Sequence, residues 1–269
     1  MDLKLDGKTA LITGSSKGIG EAIARGLARE KVVVVVHGRD RTQADRVAEA
    51  ILREGGHAHV VTGDLTIDAD VQQLVDEAQA LAGPIDIVIN NAGGSGDTED
   101  WTNTRLESWA SAYDRNVLAA VRVTTLLLPG MRKAGWGRVI NISSLAGLMP
   151  PASRPDYSAC KAAMNAMTAS MAKAVAAEGV TVNTVSPGTI HSARADLRFR
   201  EVALERGIPQ DAPWATIEQA VLPVFAEVPV GRMGTLEEIA DAVSFLASPR
   251  AAYITGMNLR LDGGMLPTV

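Results

Sequence analysis

Along almost the whole chain, short runs of β-branched and aliphatic residues alternate with longer stretches whose apolar positions recur every three or four residues. The short runs predict strands at 9–13, 32–36, 58–61, 85–90, 137–142, 181–185 and 258–261. The longer stretches predict helices at about 18–30, 42–54, 68–82, 106–133, 156–178 and 236–247. Asp68 and the pair Glu237–Glu238 give acidic starts that suit the helix dipole. Five consecutive valines at 32–36 leave no polar face, as a central strand covered on both sides requires. Strands separated by helices make βαβ units. The chain is therefore expected to form one doubly wound α/β domain over 1–269, with a parallel sheet of about seven strands and helices on both faces. Ligands of such sheets bind beyond the carboxyl ends of the strands.

Residues 189–234 break the rhythm. They contain no strand pattern, and Pro209, Pro213, Pro223 and Pro229 divide them into short amphipathic pieces. An insertion of this length in a compact domain is usually functional, and a substrate lid is the expectation. Trp214, Leu222 and Phe225 could cover an apolar substrate or serve only as the insertion's internal packing.

The first predicted strand runs into Thr13-Gly14-Ser15-Ser16-Lys17-Gly18-Ile19-Gly20 and then a helix. Gly14 permits a tight turn, and Gly18 and Gly20 let a phosphate approach the backbone at a helix N-terminus. The spacing is neither G-x-G-x-x-G nor that of a P-loop. Its place after the first strand of a βαβ unit nevertheless favours a nucleotide. The second strand ends in His37-Gly38-Arg39, where an acidic side chain would select a ribose 2′-hydroxyl. Arg39 instead presents a planar fork to a 2′-phosphate, with Lys17 as a second cation. NADP(H) is thus the expected cofactor. Asp64, after the third strand, suits either a hydrogen bond to the adenine amino group or a loop cap.

Asp156-Tyr157-Ser158-Ala159-Cys160-Lys161 carries the candidate chemistry. Tyr157 and Lys161, four apart, share a helix face. A tyrosine with an ordinary pKa near 10 is a poor acid-base catalyst at neutral pH, and a nearby ammonium or a cationic nicotinamide ring would lower it. Ser144, at the end of the fifth strand, can hydrogen-bond a substrate carbonyl or hydroxyl. A Tyr-x-x-x-Lys pair alone arises often by chance; its combination with Ser144 and the glycine turn is specific.

These motifs resemble the short-chain dehydrogenase/reductase family, and the likeness runs through essentially the whole chain. It rests on TGSSKGIG at 13–20, Asp64, NNAG at 90–93, DRNV at 114–117, NISS at 141–144, YSACK at 157–161, SPG at 186–188 and LDGG at 261–264. The resemblance implies a Rossmann-type fold with Tyr157 as general acid-base and Ser144 polarising the substrate oxygen. It implies that Lys161 binds the nicotinamide ribose and lowers the tyrosine pKa, and that Asn116 holds a water relaying protons from Lys161 to solvent. Gly14, Ser16, Lys17, Gly18, Ile19, Gly20, Arg39, Asp64, Leu65, Asn91, Ala92 and Gly93 would line the cofactor, together with Tyr157 and Lys161. Pro187, Gly188, Ile190 and Ser192 would contact its nicotinamide end. Ser192 stands where the family often has threonine. The polar segment after NNAG, with Trp101 and Trp109, borders the substrate mouth in relatives.

The reaction so implied is reversible hydride transfer between NADP(H) and a carbonyl or secondary alcohol. The overall sequence resembles 3-oxoacyl thioester reductases, while polyol, sugar and hydroxysteroid dehydrogenases share the same motifs. A non-catalytic NADP-binding regulator or scaffold is the rival from another class, and it would be expected to lack the tyrosine or lysine present here. Relatives commonly form tetramers, so a homotetramer or dimer is expected. The small-residue face AAMNAMTASMAKAVAA suits such packing.

Composition narrows the partners. Among 269 residues, 46% are hydrophobic and 21% charged, a globular balance. With 26 basic and 31 acidic side chains, the net charge is −5 and the pI about 5.4. A nucleic-acid groove is therefore not expected. The lone Cys160 excludes an internal disulfide and a cysteine-based zinc site, and reads as a small packed residue. His37, His57, His59 and His191 show no ligand-like grouping, so no metal is expected. Met164, Met167 and Met171 read as packing at helical spacing. The start lacks a signal-peptide apolar core and no run reaches the ~18 apolar residues of a membrane span, so a cytoplasmic protein is expected.

Overall fold

A computed structural model describes residues 1–96 and 100–267. Seven parallel strands form one sheet: β1 (Thr9–Ile12), β2 (Val33–Gly38), β3 (His57–Thr62), β4 (Ile87–Asn90), β5 (Gly137–Ile142), β6 (Val180–Pro187) and β7 (Asn258–Leu261). Their spatial order is β3-β2-β1-β4-β5-β6-β7. The order reverses between β1 and β4, where Ala10 pairs with Ile87 and Thr9 with Val33. That switch point opens a crevice at the strands' carboxyl ends.

The period-2 alternation of side chains explains why both faces are apolar. Ala10, Ile12, Val34, Val36, Ile87, Ile89, Ile140 and Ile142 enter one core, while Leu11, Val35, Val88 and Val139 enter the other. Helices α1 (Gly18–Arg29) and α2 (Arg41–Arg53) pack on the first face. Helix α3 (Asp68–Ala82) packs on the second. Asp40 caps α2 by accepting from the Gln43 N–H at 3.1 Å.

The predicted helix at 106–133 is interrupted. It comprises α4 (Leu106–Tyr113), a π-helical turn (Asp114–Leu118) and α5 (Ala119–Ala134). The turn carries Asn116 at its centre, and such π-bulges are frequent at functional sites. Helix α6 (Pro155–Val175) bears the Tyr157–Lys161 pair. Helices α5 and α6 complete the second face.

The proline-punctuated segment forms two further helices, α7 (Ala193–Glu205) and α8 (Trp214–Phe225), before α9 (Leu236–Ala247) returns to the first face. A capping box starts α9: Thr235 Oγ1 accepts from the Glu238 N–H at 3.1 Å, and Glu238 Oε2 accepts from the Thr235 N–H at 2.8 Å. Phe199, Val202, Ile217, Val221, Leu222 and Met233 give α7 and α8 a small core of their own. Of the three residues weighed for a lid, Trp214 stacks on His191 at 3.8 Å and Leu222 is buried in that core. Phe225 stacks on Phe199 at 5.1 Å. All three make internal packing contacts.

Candidate active site

A cavity of about 680 Å³ lies over the carboxyl ends of β1, β2, β3, β4 and β5. One end is built by the turn after β1. Gly14 has φ +63°, and a Cβ there would sit 2.9 Å from the Ala92 Cα. A Cβ on Gly20 would fall 2.5 Å from both the Asn91 side-chain nitrogen and the Gly14 oxygen. Only glycine lets these two loops close together. Asn91 fastens them by donating from Nδ2 to the Thr13 and Gly14 carbonyls, each at 2.9 Å.

Lys17 and Arg39 line this end, and neither has an ion-pair partner among the described residues. Neighbouring cations behave differently: Arg41 pairs with Asp45 at 3.0 Å and Arg46 with Glu21 at 3.2 Å. Two unpaired cations at a glycine turn suit a phosphate. Asp64 accepts from the Thr66 N–H at 2.9 Å and its hydroxyl at 2.7 Å, both through Oδ1. These bonds hold its carboxyl below the usual carboxylate range. The loop-cap role is thus present, and among the described residues Oδ2 accepts no hydrogen bond that would prevent it from meeting an adenine amino group.

The other end carries Tyr157, Lys161, Ile142 and Ser143. Ser144 stands close enough to the Tyr157 phenol to favour its ionised form, and the serine oxygen accepts from the Ala146 N–H at 3.2 Å. Lys161 is fully enclosed, its Nζ donating to the Ile142 carbonyl at 2.8 Å. Burial lowers its pKa to about 8. The phenol departs from the expectation of a lowered pKa. Burial pushes Tyr157 up, the Ser144 hydroxyl and the Arg154 charge pull it down, and burial wins. The Lys161 ammonium is 5.6 Å from the tyrosine ring centroid and engaged with a main-chain carbonyl. In this geometry burial outweighs the charges around the phenol, which leaves any net lowering to charges brought in by a bound ligand.

Asn116 is buried beneath the loop after β4. Its Oδ1 accepts from the Gly94 N–H at 2.9 Å, and its Nδ2 donates to the carbonyls of Gly94 (3.1 Å) and Ala112 (2.9 Å). One bond anchors the loop at Gly94 and the other returns to α4 at Ala112, so both amide protons are spent and the expected water would have to be held by other atoms. A Cβ on Gly93 would collide with Asn116 Oδ1 at 2.5 Å, which explains the glycine in NNAG.

The cavity brings together Gly14, Ser16, Lys17, Ile19, Gly20, Arg39, Asp64, Leu65, Asn91, Ala92, Gly93, Tyr157, Lys161 and Ser192. Gly18 lies behind the turn, beside Glu21 and Arg25. Pro187, Gly188 and Ile190 are outside the cavity wall. Gly188 donates to Leu261 at 2.9 Å, and Ile190 bridges to Gly234. The Ser192 oxygen caps α7 by accepting from the Ala195 N–H at 3.3 Å. Residues 97–99, part of the polar segment after NNAG, lie outside the described residues; Trp101 and Trp109 pair at 5.6 Å beyond them.

Sequence reasoning missed His37, Ser111 and Arg115 in the wall. It also missed the buried relay beneath the strand ends. Asn90 Nδ2 donates to Thr124 (2.9 Å) and Asn141 (2.8 Å), Asn141 Nδ2 donates to Thr168 (2.8 Å), and the Thr184 hydroxyl donates to Thr168 (2.7 Å). Polar residues inside otherwise apolar strands were the available signal. Among the described residues no His, Cys, Asp and Glu group could hold a metal ion, and no helix is long and apolar enough to cross a membrane.

Comparison with known proteins agrees with this geometry. Residues 8–202 match the family described as short chain dehydrogenase. The chain is 38% identical over 264 residues to the 3-oxoacyl-[acyl-carrier-protein] reductase FabG of Vibrio cholerae, covering 98% of this chain and 99% of the relative. It is 33% identical to the Escherichia coli reductase of the same name, over 98% of this chain and 99% of that one. The L-sorbose reductase of Gluconobacter frateurii, solved with NADPH and L-sorbose, superposes with a TM-score of 0.91 at 33% identity over all of both chains.

Proposed function

We propose that this chain, which belongs to the short chain dehydrogenase family, is an NADPH-dependent carbonyl reductase. The observation that carries the reading is the cavity itself, with two cations unpaired among the described residues at a glycine turn and Tyr157 and Lys161 at its far end, Ser144 standing just behind the wall beside the phenol. The crowding at Gly14 and Gly20 fits a dinucleotide, because backbone rather than side chains faces the phosphates. Lys17 and Arg39 would hold the 2′-phosphate, Asp64 the adenine, and Lys161 the nicotinamide ribose. The chemistry supplied by the bound cofactor is hydride transfer to the substrate carbonyl carbon.

The chain's own residues then manage the proton. Ser144 orients the carbonyl oxygen, and the Tyr157 hydroxyl donates to the alkoxide as charge develops there. Burial keeps the phenol protonated at neutral pH, the form a reductase needs at the start of turnover. Lys161, whose pKa burial lowers to about 8, would hold the nicotinamide ribose and keeps a proton at its Nζ at neutral pH.

The substrate we propose is a 3-oxoacyl thioester, supported by the likeness to acyl-carrier reductases across nearly the whole chain. A ketose is the second reading, favoured by the likeness to L-sorbose reductase over both full chains. NADPH consumption with an acetoacetyl thioester and with L-sorbose separates them, with polyol and hydroxysteroid oxidation run alongside. Turnover of the thioester alone supports the first reading and turnover of the ketose alone the second. NADPH binding without turnover of any carbonyl would favour a regulator over an enzyme. We also propose that the chain self-associates through its α5 and α6 surfaces. Leu126 is exposed on α5, as is Leu118 at the end of the π-helical turn just before it. Light scattering showing a monomer would overturn this.

A further inference from the structure

Three loops meet at the adenosine end of the cavity, and one side chain joins them. His37, buried near the end of β2, shares two main-chain contacts with the turn after β1. Its N–H donates to Ser15 Oγ at 3.0 Å and its carbonyl accepts from the Ser15 N–H at 2.8 Å. Its ring then bridges outward in both directions. Nδ1 accepts from the Gly14 N–H at 3.1 Å, and Nε2 lies 3.2 Å from the Gly63 carbonyl oxygen. A backbone N–H can only donate and a carbonyl can only accept, so Nδ1 is bare and Nε2 carries the proton. The ring is neutral, in one tautomer. Gly14, Arg39, Gly63 and Asp64 all line the cavity.

We propose that His37 is a positioning residue for the cofactor: its neutral imidazole sets the spacing of Gly14, Arg39 and Asp64, and protonation of the ring weakens nucleotide binding. The proposal rests on the dinucleotide reading of the cavity. An imidazolium has two donors and no acceptor, so its Nδ1–H would confront the Gly14 N–H donor to donor. The Gly14 turn could not stay in place, and Gly14 is where the phosphates must approach. The charged groups around the ring are Asp64 on the loop after β3 and Arg39 beyond the end of its own strand. Lys17 lies further along the turn after β1, and Asp70 on α3 accepts from the Asp64 N–H at 2.9 Å. Asp64 favours the charged ring, while burial and Arg39 oppose it. Burial is the largest effect and holds the ring's pKa below the usual 6.5.

The test combines nitrogen NMR of the cofactor-free protein with nucleotide titrations from pH 7.5 down to 5. NADH is the probe, because the 2′-phosphate of NADPH itself titrates near pH 6. Expected are a bare Nδ1 and protonated Nε2 at pH 7.5, and a Gly14 amide shift that moves with the ring's own midpoint. NADH affinity should be flat above that midpoint and fall toward about tenfold per pH unit below it. His37→Gln, which cannot titrate, should bind NADH more weakly at pH 7.5 but lose nothing further in acid. An Nδ1–H tautomer, or wild-type NADH affinity without a break at the ring's midpoint, would overturn the proposal. If neither nucleotide binds at pH 7.5, the cofactor reading fails together with the affinity claim. The tautomer and the coupled Gly14 shift then decide the strut alone. The NMR arm needs no variant, so misfolding of His37→Gln leaves the proposal open to refutation.

Discussion

Replacing Arg39 with aspartate tests cofactor choice at the residue where the structure concentrates it. Arg39 stands exposed at the cavity rim with no ion-pair partner among the described residues, so its removal orphans no carboxylate there. A hydrogen bond to a charged group contributes about 1.5–3 kcal/mol, and solvent exposure places this one toward the lower end. Each 1.4 kcal/mol is about tenfold in affinity, so NADPH should bind roughly 10- to 30-fold more weakly to Arg39→Asp. Lys17 remains as a point charge and keeps the loss from being complete. NADH has no phosphate to lose, and the new carboxylate can accept from its ribose 2′-hydroxyl, so NADH binding should hold or tighten. The ratio of the two dissociation constants, from fluorescence titration at one ionic strength, is the quantity to read. In the wild type the preference for NADPH should shrink as salt shortens the screening length from about 10 Å at 0.1 M to about 3 Å at 1 M. Arg41→Ala is the control, since Arg41 is committed to Asp45. An NADPH-to-NADH ratio unchanged in Arg39→Asp would refute the phosphate assignment.

Two further predictions follow from the same site. Lys161→Met should abolish turnover while leaving thermal stability at pH 7 unchanged or raised. The folded pKa of about 8 lies below the usual 10.5, so a charged Lys161 costs stability below pH 8 and that cost fades between about 8 and 10.5. A melting temperature lowered by several degrees at pH 7 would contradict this. Gly14→Ala forces a Cβ to 2.9 Å from the Ala92 backbone at φ +63°, so about 1–3 kcal/mol of stability should be lost, with weaker NADPH binding. Unchanged urea midpoints and NADPH affinity would show that the two loops can separate freely.

Much of this architecture was legible because it depends on local patterns. The valines at 32–36 marked β2, which runs on through His37 and Gly38, and each of the other strands was located to within about two residues. Gly14, Arg39, Asp64, Tyr157 and Lys161 were legible because strand ends in a doubly wound sheet converge wherever they fall in sequence. The helix predicted at 106–133 hid a π-helical turn, since its apolar spacing survives one inserted residue while the direction of Asn116 changes. Helix α8 was obscured by Pro213 and Pro223, although the first stands at its N-cap and the second is carried inside it. His37 looked isolated because its partners are main-chain atoms of Gly14 and Gly63, which no side-chain pattern announces. The direction of the tyrosine pKa in the ligand-free protein was hidden for a related reason. Spacing put Lys161 on the right helix face, but burial and the Ile142 carbonyl decide what its charge does.

The central claim is that Tyr157 supplies the proton in a reduction driven by NADPH. Its most direct test is Tyr157→Phe, assayed for NADPH consumption on whichever carbonyl the wild type reduces, with NADPH binding measured on the same sample. The substitution removes one hydroxyl and keeps the ring that packs beside Ser144, so binding should stay within about twofold while turnover falls by roughly 10²–10⁴-fold, the range of a general acid. Wild-type turnover in Tyr157→Phe would contradict the account.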